Sequence, residues 1–112
     1  MKILVFGDKG DNMLNSRQRA QLRGMANDYE TILQVGKMGI SENTIKQVDD
    51  ALEARELIKI HILETALLDT KPTCNEVAEA LGAEPVQAIG SKFVLYKQAK
   101  NIKNRKIELP KK

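Results

Sequence analysis

The stretch TILQVGKMGISENTIKQVDDALEARELIKIHIL, residues 31–63, has the pattern of a strand, a helix and a second strand. Residues 31–35 are a short β-prone run. Residues 57–63 alternate, so that three isoleucines share one face and polar residues share the other. A helical pattern over about residues 42–55 lies between them. This unit predicts an α/β (α+β) fold, because a helix between two strands allows them to pair in parallel.

Capping residues mark the helices on either side of this unit. Asn15 is a suitable N-cap for a first helix over about residues 16–27. Thr73 and Glu76 have the spacing of a capping box, which predicts that a third helix starts there. Gly82 follows the last apolar residue of this helix and is placed to end it.

Two further strands are predicted at residues 85–89 and 93–97, and Gly90-Ser91 joins them closely enough for a hairpin. The element order is therefore α-β-α-β-α-β-β. The hairpin requires an antiparallel pair, whereas the earlier crossovers allow parallel ones. We expect a single small domain with a four-stranded mixed sheet, because 112 residues are enough for one core and too few for two.

Composition excludes several classes of protein. The longest uninterrupted apolar run is far too short to cross a bilayer, so we expect a cytoplasmic protein with no membrane partner. Cys74 is the only cysteine and His61 the only histidine, so an internal disulfide is impossible and a zinc site would lack its usual ligands. We therefore expect neither a metal nor another cofactor, and we expect a monomer.

Positive charge is concentrated at the C-terminus. Residues 97–112 carry a net charge of +6, whereas the preceding 96 residues sum to −3. Residues 98–112 are predicted to form a basic tail behind a domain that spans residues 14–97. The polar composition predicts a tail that is at least partly mobile, although residues 107–109 alternate and could add a short edge segment. Residues 1–13 are expected to be an extension, either from an upstream start or from the expression vector.

The loop Gly36-Lys37-Met38-Gly39 leads directly into the predicted second helix. Glycines let a ligand approach the backbone closely, and the first amides of a helix are unpaired and carry the positive end of its dipole. Such a place attracts anions, and Lys37 adds a cation. The same spacing is also typical of a turn whose glycines serve conformation alone. Taken by itself, the loop leaves both interpretations open.

Enzymatic sites are not indicated. A Walker A loop needs a lysine after its last glycine, and a dinucleotide-binding loop needs a third glycine, so the loop matches neither. His61 is in the middle of a predicted strand, and Cys74 is on the apolar face of a predicted helix, so no nucleophile has a base beside it. We predict that the protein is not an enzyme.

Four stretches carry a resemblance to a known family: LNSRQRAQLRGMA, ILQVGKMGISENTIKQVDDALEARELIKI, EPVQAIGSKFVLYK and KIELP. In this order, from residue 14 to residue 110, they resemble the bacterial YhbY family, the stand-alone form of the CRM domain (chloroplast RNA splicing and ribosome maturation). The resemblance implies a fold like the C-terminal domain of the third translation initiation factor. It also implies an RNA-binding role with the GxxG loop as a contact, and association with precursors of the large ribosomal subunit.

The resemblance directs the choice of site residues. The loop itself matches the family's GxxG motif, and the arginines of the first helix match its basic motif. Lysines elsewhere on the domain would complete a surface for phosphates. The predicted RNA-binding residues are Arg17, Arg19, Arg23, Gly36, Lys37, Met38, Gly39, Lys46, Lys59, Lys92 and Lys97.

We therefore predict a ribosome assembly factor that binds ribosomal RNA in the precursor of the large subunit. Aromatic residues are too few for a stacking platform, and Tyr29 continues the apolar spacing of the first helix, so recognition would rely on shape and phosphates. The alternative is a protein-interaction module that docks on ribosomal proteins through an exposed sheet face with Leu57, Lys59, His61 and Leu63. Binding of double-stranded DNA ranks third, because the second helix is acidic on its outer side.

Overall fold

The structure, a computed structural model, describes residues 14–109, so the predicted extension at residues 1–13 lies outside it. Within this range, three α-helices and four strands follow one another in the predicted order. Two short 3-10 turns occur at Glu64–Ala66 and Ile102–Asn104. The elements are α1 (Ser16–Ala26), β1 (Leu33–Val35), α2 (Glu42–Arg55), β2 (Leu57–Ile62), α3 (Thr70–Leu81), β3 (Glu84–Ile89) and β4 (Lys92–Tyr96). None of the helices within the described range is long and apolar enough to cross a membrane.

The four strands form one mixed sheet in the order β1-β2-β4-β3. β1 pairs with β2 in parallel, with Leu33 opposite Ile60. β4 pairs antiparallel with both β2 and β3. The β3–β4 hairpin thus inserts its second strand beside β2 and leaves β3 at an edge. Pro85 lies in β3, where an edge strand tolerates its missing N–H, and the register shifts between Pro85 and Gln87.

Helices α2 and α3 cover one face of the sheet. The alternating isoleucines of β2 point into this layer, as the sequence predicts, together with Phe93 and Leu95 of β4. Val48 and Leu52 come from α2, and Cys74, Val77 and Ala78 come from α3. Phe93, Leu52 and Ile60 are among the largest fully buried side chains. This layer is the main hydrophobic core.

Helix α1 covers part of the opposite face. Leu22 and Ala26 of α1 pack with Leu57, Val94 and Tyr96 of the sheet in a second apolar cluster. Leu57 is only 1% exposed. The prediction that Leu57 belongs to an exposed sheet face, made for the protein-interaction module, is therefore wrong. Helix α1 and the chain after β4 cover this residue. Lys59 and His61 lie further along β2 and remain half-buried.

The start of α3 differs from the prediction. The helix begins at Thr70 with Asp69 in the N-cap position, one turn before the expected capping box. Pro72 lies within the first turn, where its missing N–H has no helical acceptor to lose. Thr73, the predicted cap, is instead 3% exposed and faces the core. The other end is as predicted, since Gly82 adopts a left-handed conformation with φ +67°.

The chain after β4, for which the sequence predicts at least partial mobility, is held to the domain by hydrogen bonds between residues 99 and 107. Glu56 links α2 to β2, is completely buried, and accepts three backbone N–H groups from this segment. The Oε2 atom of Glu56 accepts the N–H of Ala99 at 2.8 Å. Its Oε1 atom accepts the N–H groups of Lys106 at 2.6 Å and Ile107 at 3.1 Å. We call the contacts of Glu56 and Glu53 with residues 99–107 the tail clasp.

Glu53 holds the middle of the same segment. Its carboxylate accepts the N–H groups of Lys100 at 2.9 Å and Asn101 at 3.0 Å. These two hydrogen bonds lower the pKa of Glu53 below its ordinary value, and the bond from Asn101 has the larger effect. Ile107 and Leu109 then pack beside the α1 cluster, without forming the edge strand that the alternation allowed. Residues 98–109 are thus part of the folded body.

Candidate nucleic-acid interface

The glycine loop forms a tight turn between β1 and α2. The N–H of Gly39 donates to the carbonyl of Gly36 at 2.8 Å, and Lys37 and Met38 occupy the exposed apex. Met38 is 88% exposed. Gly39 has φ +67°, which disfavours any residue with a Cβ atom. At Gly36 an added Cβ would lie 3.5 Å from Leu63, an ordinary contact, so only Gly39 is required by conformation.

The N-terminus of α2 opens next to this turn. Ser41 Oγ accepts the N–H of Thr44 at 3.2 Å, and the Thr44 hydroxyl donates to the carbonyl of Gly39 at 3.3 Å. These bonds fix the loop to the helix. A helix has four N-terminal amides without helical acceptors, and within residues 14–109 this cap engages only one of them. The positive end of α2 therefore lies beside the exposed Lys37, although Glu42 in the first turn opposes anion binding.

The end of β2 brings the β3–β4 hairpin next to the loop. The N–H of Leu63 donates to Val35 at 2.8 Å, and the N–H of Ile62 donates to Ser91 at 2.7 Å. His61 lies opposite Lys92. Directly opposed residues share a sheet face. Lys92 is thus on the same face as His61 and Lys59, at the end of the sheet where the glycine loop lies.

The arginines of α1 border this sheet face unequally. Arg19 donates from Nε to the carbonyl of Pro85 at 3.4 Å, and its Nη2 atom lies 3.9 Å from Glu84, so Arg19 also anchors α1 to β3. Arg23 is one turn further along the same side of α1. Arg17 is exposed on a different side of α1. We define the cationic face as Arg19, Arg23, Lys37, Lys59 and Lys92.

Two of the predicted lysines lie apart from the cationic face. Lys46 is on the exposed side of α2, below the sheet, and pairs with Asp50 at 3.3 Å. Lys97 follows β4 at the far end of the sheet and pairs with Asp49 at 3.6 Å. A surface ion pair contributes little to stability, but it lowers the charge that a lysine offers to a phosphate. The structure thus brings together the loop, α1 and the sheet, and separates Lys46 and Lys97 from them.

The described residues form neither a metal-binding cluster nor an activated thiol. No cluster of three His, Cys, Asp or Glu side chains within residues 14–109 is placed to hold a metal ion. Cys74 is buried in the α3 layer, and this burial raises the pKa of its thiol to about 12. Such a thiol is a poor nucleophile at neutral pH.

A groove that the sequence does not indicate lies at the β1 edge of the sheet. It has a volume of about 460 Å³ and is lined by Tyr29, Glu30, Ile32, Arg55, Leu57, Ile58, Lys59 and Lys106. Helical spacing predicts Tyr29 on a core face, but α1 ends at Ala26 and Tyr29 is 37% exposed. Asn27 at the C-cap is the signal in the sequence that the helix stops before the tyrosine.

The chain is similar in sequence to known proteins. The model of the CRS1/YhbY (CRM) domain family matches residues 14–97. The "Probable RNA-binding protein YqeI" of Bacillus subtilis is 46% identical over 102 residues, which are 88% of this chain and the whole of that protein. An "RNA-binding protein" of Haemophilus influenzae is 28% identical over 99 residues, 88% of this chain and 97% of that one.

A solved structure is also similar. The solution structure of the hypothetical protein SAV1595 from Staphylococcus aureus, described as a candidate RNA-binding protein, has a TM-score of 0.66 and 44% identity. The similarity covers 88% of this chain and all of that one. The predicted small α/β domain with a mixed sheet is confirmed.

Proposed function

Because this chain belongs to the CRS1/YhbY (CRM) domain family, we propose that it binds RNA, and that its target is ribosomal RNA in the precursor of the large ribosomal subunit. In this proposal the protein is a non-enzymatic assembly factor that acts as a monomer. The RNA-binding names of its relatives support the first part. The resemblance to the YhbY family motivates the choice of ribosomal RNA.

One observation carries the proposal at the atomic level. The GxxG turn presents an exposed lysine beside the N-terminus of α2, and the cationic face continues from it across the sheet to α1. Backbone amides and spaced cations suit a phosphate backbone, which is recognised by position and shape rather than by base edges. Met38 at the apex offers an apolar surface to a sugar or base at the same point.

The loop is tested by a double substitution, Lys37→Asp with Met38→Ala. Both glycines remain, but an anion replaces the cation at the α2 N-terminus. Affinity for ribosomal RNA should fall about tenfold or more, since a hydrogen bond to a charged group contributes about 1.5–3 kcal/mol. Stability should change by less than about 0.5 kcal/mol, because the apex faces solvent. Affinity is measured by filter binding and stability by denaturant unfolding.

The chain provides a matched control in the pair Ile102-Lys103. Ile102 is 74% exposed and Lys103 is also exposed, at the opposite end of the sheet. The variant Ile102→Ala with Lys103→Asp makes the same changes of charge and apolar surface away from the loop. It should lose only the general electrostatic attraction, about twofold to threefold near physiological salt. Equal losses in both double variants would reject the loop as the contact.

The alternative, a module that docks on ribosomal proteins, predicts a different salt dependence. Binding to phosphates releases counterions, so the logarithm of affinity should fall with the logarithm of salt by about 0.7–0.9 per phosphate contact. A protein interface that depends little on charge gives a shallow slope. Tight, salt-insensitive binding to precursor particles without binding to naked ribosomal RNA would favour the protein module.

A further inference from the structure

The groove at the β1 edge combines an aromatic ring with cations, and no predicted site residue except Lys59 lies in it. It exists because β1 is short. Its three residues pair with Ile60–Ile62, so within residues 14–109 no strand covers the edge of β2 at Leu57 and Ile58. Both residues line the groove, although their side chains are only 1% exposed.

The aromatic wall of the groove is held by the backbone. The N–H of Tyr29 donates to the carbonyl of Ala26 at 3.0 Å, directly after α1. The N–H of Ile32 donates to the carbonyl of Lys59 at 3.1 Å, just before β1. The connection between α1 and β1 therefore has two fixed points, at Tyr29 and at Ile32. A partly exposed tyrosine in such a place presents a ring without a large loss of conformational entropy on binding.

The cations around the groove come from three separate elements. Arg55 is in the last turn of α2, and Lys59 is on β2. Lys106 belongs to the tail, and the tail clasp fixes its backbone through the 2.6 Å bond to Glu56. Glu30 is the one acidic residue among the described residues of the lining, so the groove has a net charge of +2 with all four groups ionised. This charge and the aromatic ring together favour an anionic ligand that has a flat ring.

We propose that this groove accepts one unpaired nucleotide of the bound RNA, with its base against Tyr29 and Ile32 and its phosphate on Arg55 and Lys106. The proposal rests on the RNA-binding function proposed above and adds a preference for RNA with an unpaired base. An acidic peptide would satisfy the charges, but it would leave the aromatic wall without a matching ring. Stacking of bases on aromatic side chains is sequence-tolerant, so no particular base is required.

The position of the groove suits simultaneous contact with the glycine loop. Gly36 lies four residues beyond Ile32 along the same edge, which corresponds to about 13 Å at the rise of a β-strand. One turn of a nucleic-acid duplex is longer, about 34 Å. A single RNA molecule can therefore place a paired segment at the glycine loop and a neighbouring unpaired nucleotide in the groove.

The test compares three synthetic RNA hairpins: one fully paired, one with a single bulged nucleotide, and one with the same bulge lacking its base. The protein should bind the bulged hairpin at least about fivefold more tightly than the other two, as stacking of one base implies. Tyr29→Phe should keep this preference because it keeps the ring. Tyr29→Ala should abolish it.

Two charge variants keep the test valid if Tyr29→Ala fails to fold. Glu30→Gln removes the anion of the lining and should strengthen binding of the bulged hairpin. Lys106→Gln leaves the backbone bond to Glu56 intact and should reduce the salt slope for that hairpin by about 0.7–0.9. Equal binding of the bulged and base-free hairpins, or a preference that survives Tyr29→Ala, overturns the proposal. So does an absence of effect in both charge variants.

The outcomes also separate this proposal from the RNA-binding function itself. If the unaltered protein binds none of the three hairpins and no ribosomal RNA at low salt, the proposed function fails. If it binds all three equally, and Lys37→Asp with Met38→Ala weakens all three, the proposed function stands and the groove is not a nucleotide site. An acidic peptide that binds the groove, while all RNA affinities are unchanged by Tyr29→Ala, also excludes the groove as a nucleotide site.

Discussion

The buried carboxylate of Glu56 connects the junction of α2 and β2 to the segment after β4. It has a left-handed backbone with φ +67° and no exposed surface, a combination that is rare for glutamate. Three backbone N–H groups donate to its oxygens, and within residues 14–109 no Lys or Arg forms an ion pair with it. Hydrogen bonds of this kind are stronger than neutral ones, which explains how the residue tolerates burial.

Glu56→Gln tests this compensation with almost no change in shape. One oxygen becomes an amide group that cannot accept an N–H, so either Ala99 or the pair Lys106 and Ile107 loses its acceptor. We expect a loss of about 2 kcal/mol in the free energy of unfolding, as for other buried donors left unpaired. Glu79→Gln on the exposed side of α3 is the control and should change stability by less than about 0.5 kcal/mol. Similar stability of both variants in urea would contradict the account of the clasp.

At the scale of the elements, local sequence predicts some boundaries well and others not at all. The bounds of α2 agree with the prediction because Ser41 caps it and no competing start is near. The predicted start of α3 is wrong. Thr73 and Glu76 have the spacing of a capping box, but Thr73 is buried against the core and the helix begins one turn earlier. The docking of residues 99–107 could not be predicted from the sequence for another reason. The anchors of this segment are backbone amides, which every sequence has, and their acceptors are more than 40 residues away.

The predicted site shows the same limits. The glycine loop and Lys92 lie at the same end of the sheet because β2 pairs with both β1 and β4. The predicted order of elements permits these two pairings. The separation of Lys46 and Lys97 depends on ion pairs with Asp50 and Asp49, which composition cannot reveal. The groove depends on where β1 stops, and strand ends are decided by tertiary contacts more than by propensity.

The docked tail predicts a pH dependence. Backbone bonds from Asn101 and Lys100 lower the pKa of Glu53 in the folded protein below the ordinary value of 4.5. The unfolded chain therefore binds the proton more readily, so this contribution to stability is complete above about pH 4.5 and disappears as the pH falls through the lowered value. Glu53→Gln should abolish this part of the acid sensitivity. Thermal unfolding of both proteins between pH 7 and pH 3 measures it, and parallel curves would contradict the role of Glu53.

At the scale of the whole molecule, the question is whether the tail and the core unfold together. Cys74 is suited to answer it, because it is the only cysteine, lies in the α3 layer, and is 2% exposed. Burial raises the pKa of its thiol to about 12, so below pH 9 the folded protein contains almost no thiolate there. This raised pKa has no effect on the stability of the protein below pH 9.0, the ordinary value for a cysteine thiol. As the pH rises from 9.0 to about 12, it lowers the stability, because the unfolded chain loses the proton more readily.

We expect a thiol reagent at pH 8 to label Cys74 at least about a thousandfold more slowly than it labels the unfolded chain, because labelling requires an opening that exposes the core. If the tail and the core form one cooperative unit, Glu56→Gln should accelerate labelling by about thirtyfold, the factor that corresponds to about 2 kcal/mol. Unchanged labelling in a variant that is less stable in urea would mean that the tail detaches on its own.

Glu56 and its hydrogen-bond partners are far apart in the sequence, so they are synthesised at different times. The carboxylate leaves the ribosome before the amide of Ala99, which follows 43 residues later. At about 5–20 residues per second this interval lasts about 2–9 s. Only at the end of this interval have all the helices and strands from α1 to β4 been synthesised, and Glu56 then still lacks the N–H groups of residues 99–107. The nascent chain therefore completes the hydrogen bonds of its buried Glu56 carboxylate last, and a translational pause just before residue 99 prolongs the form of the domain that lacks the tail clasp.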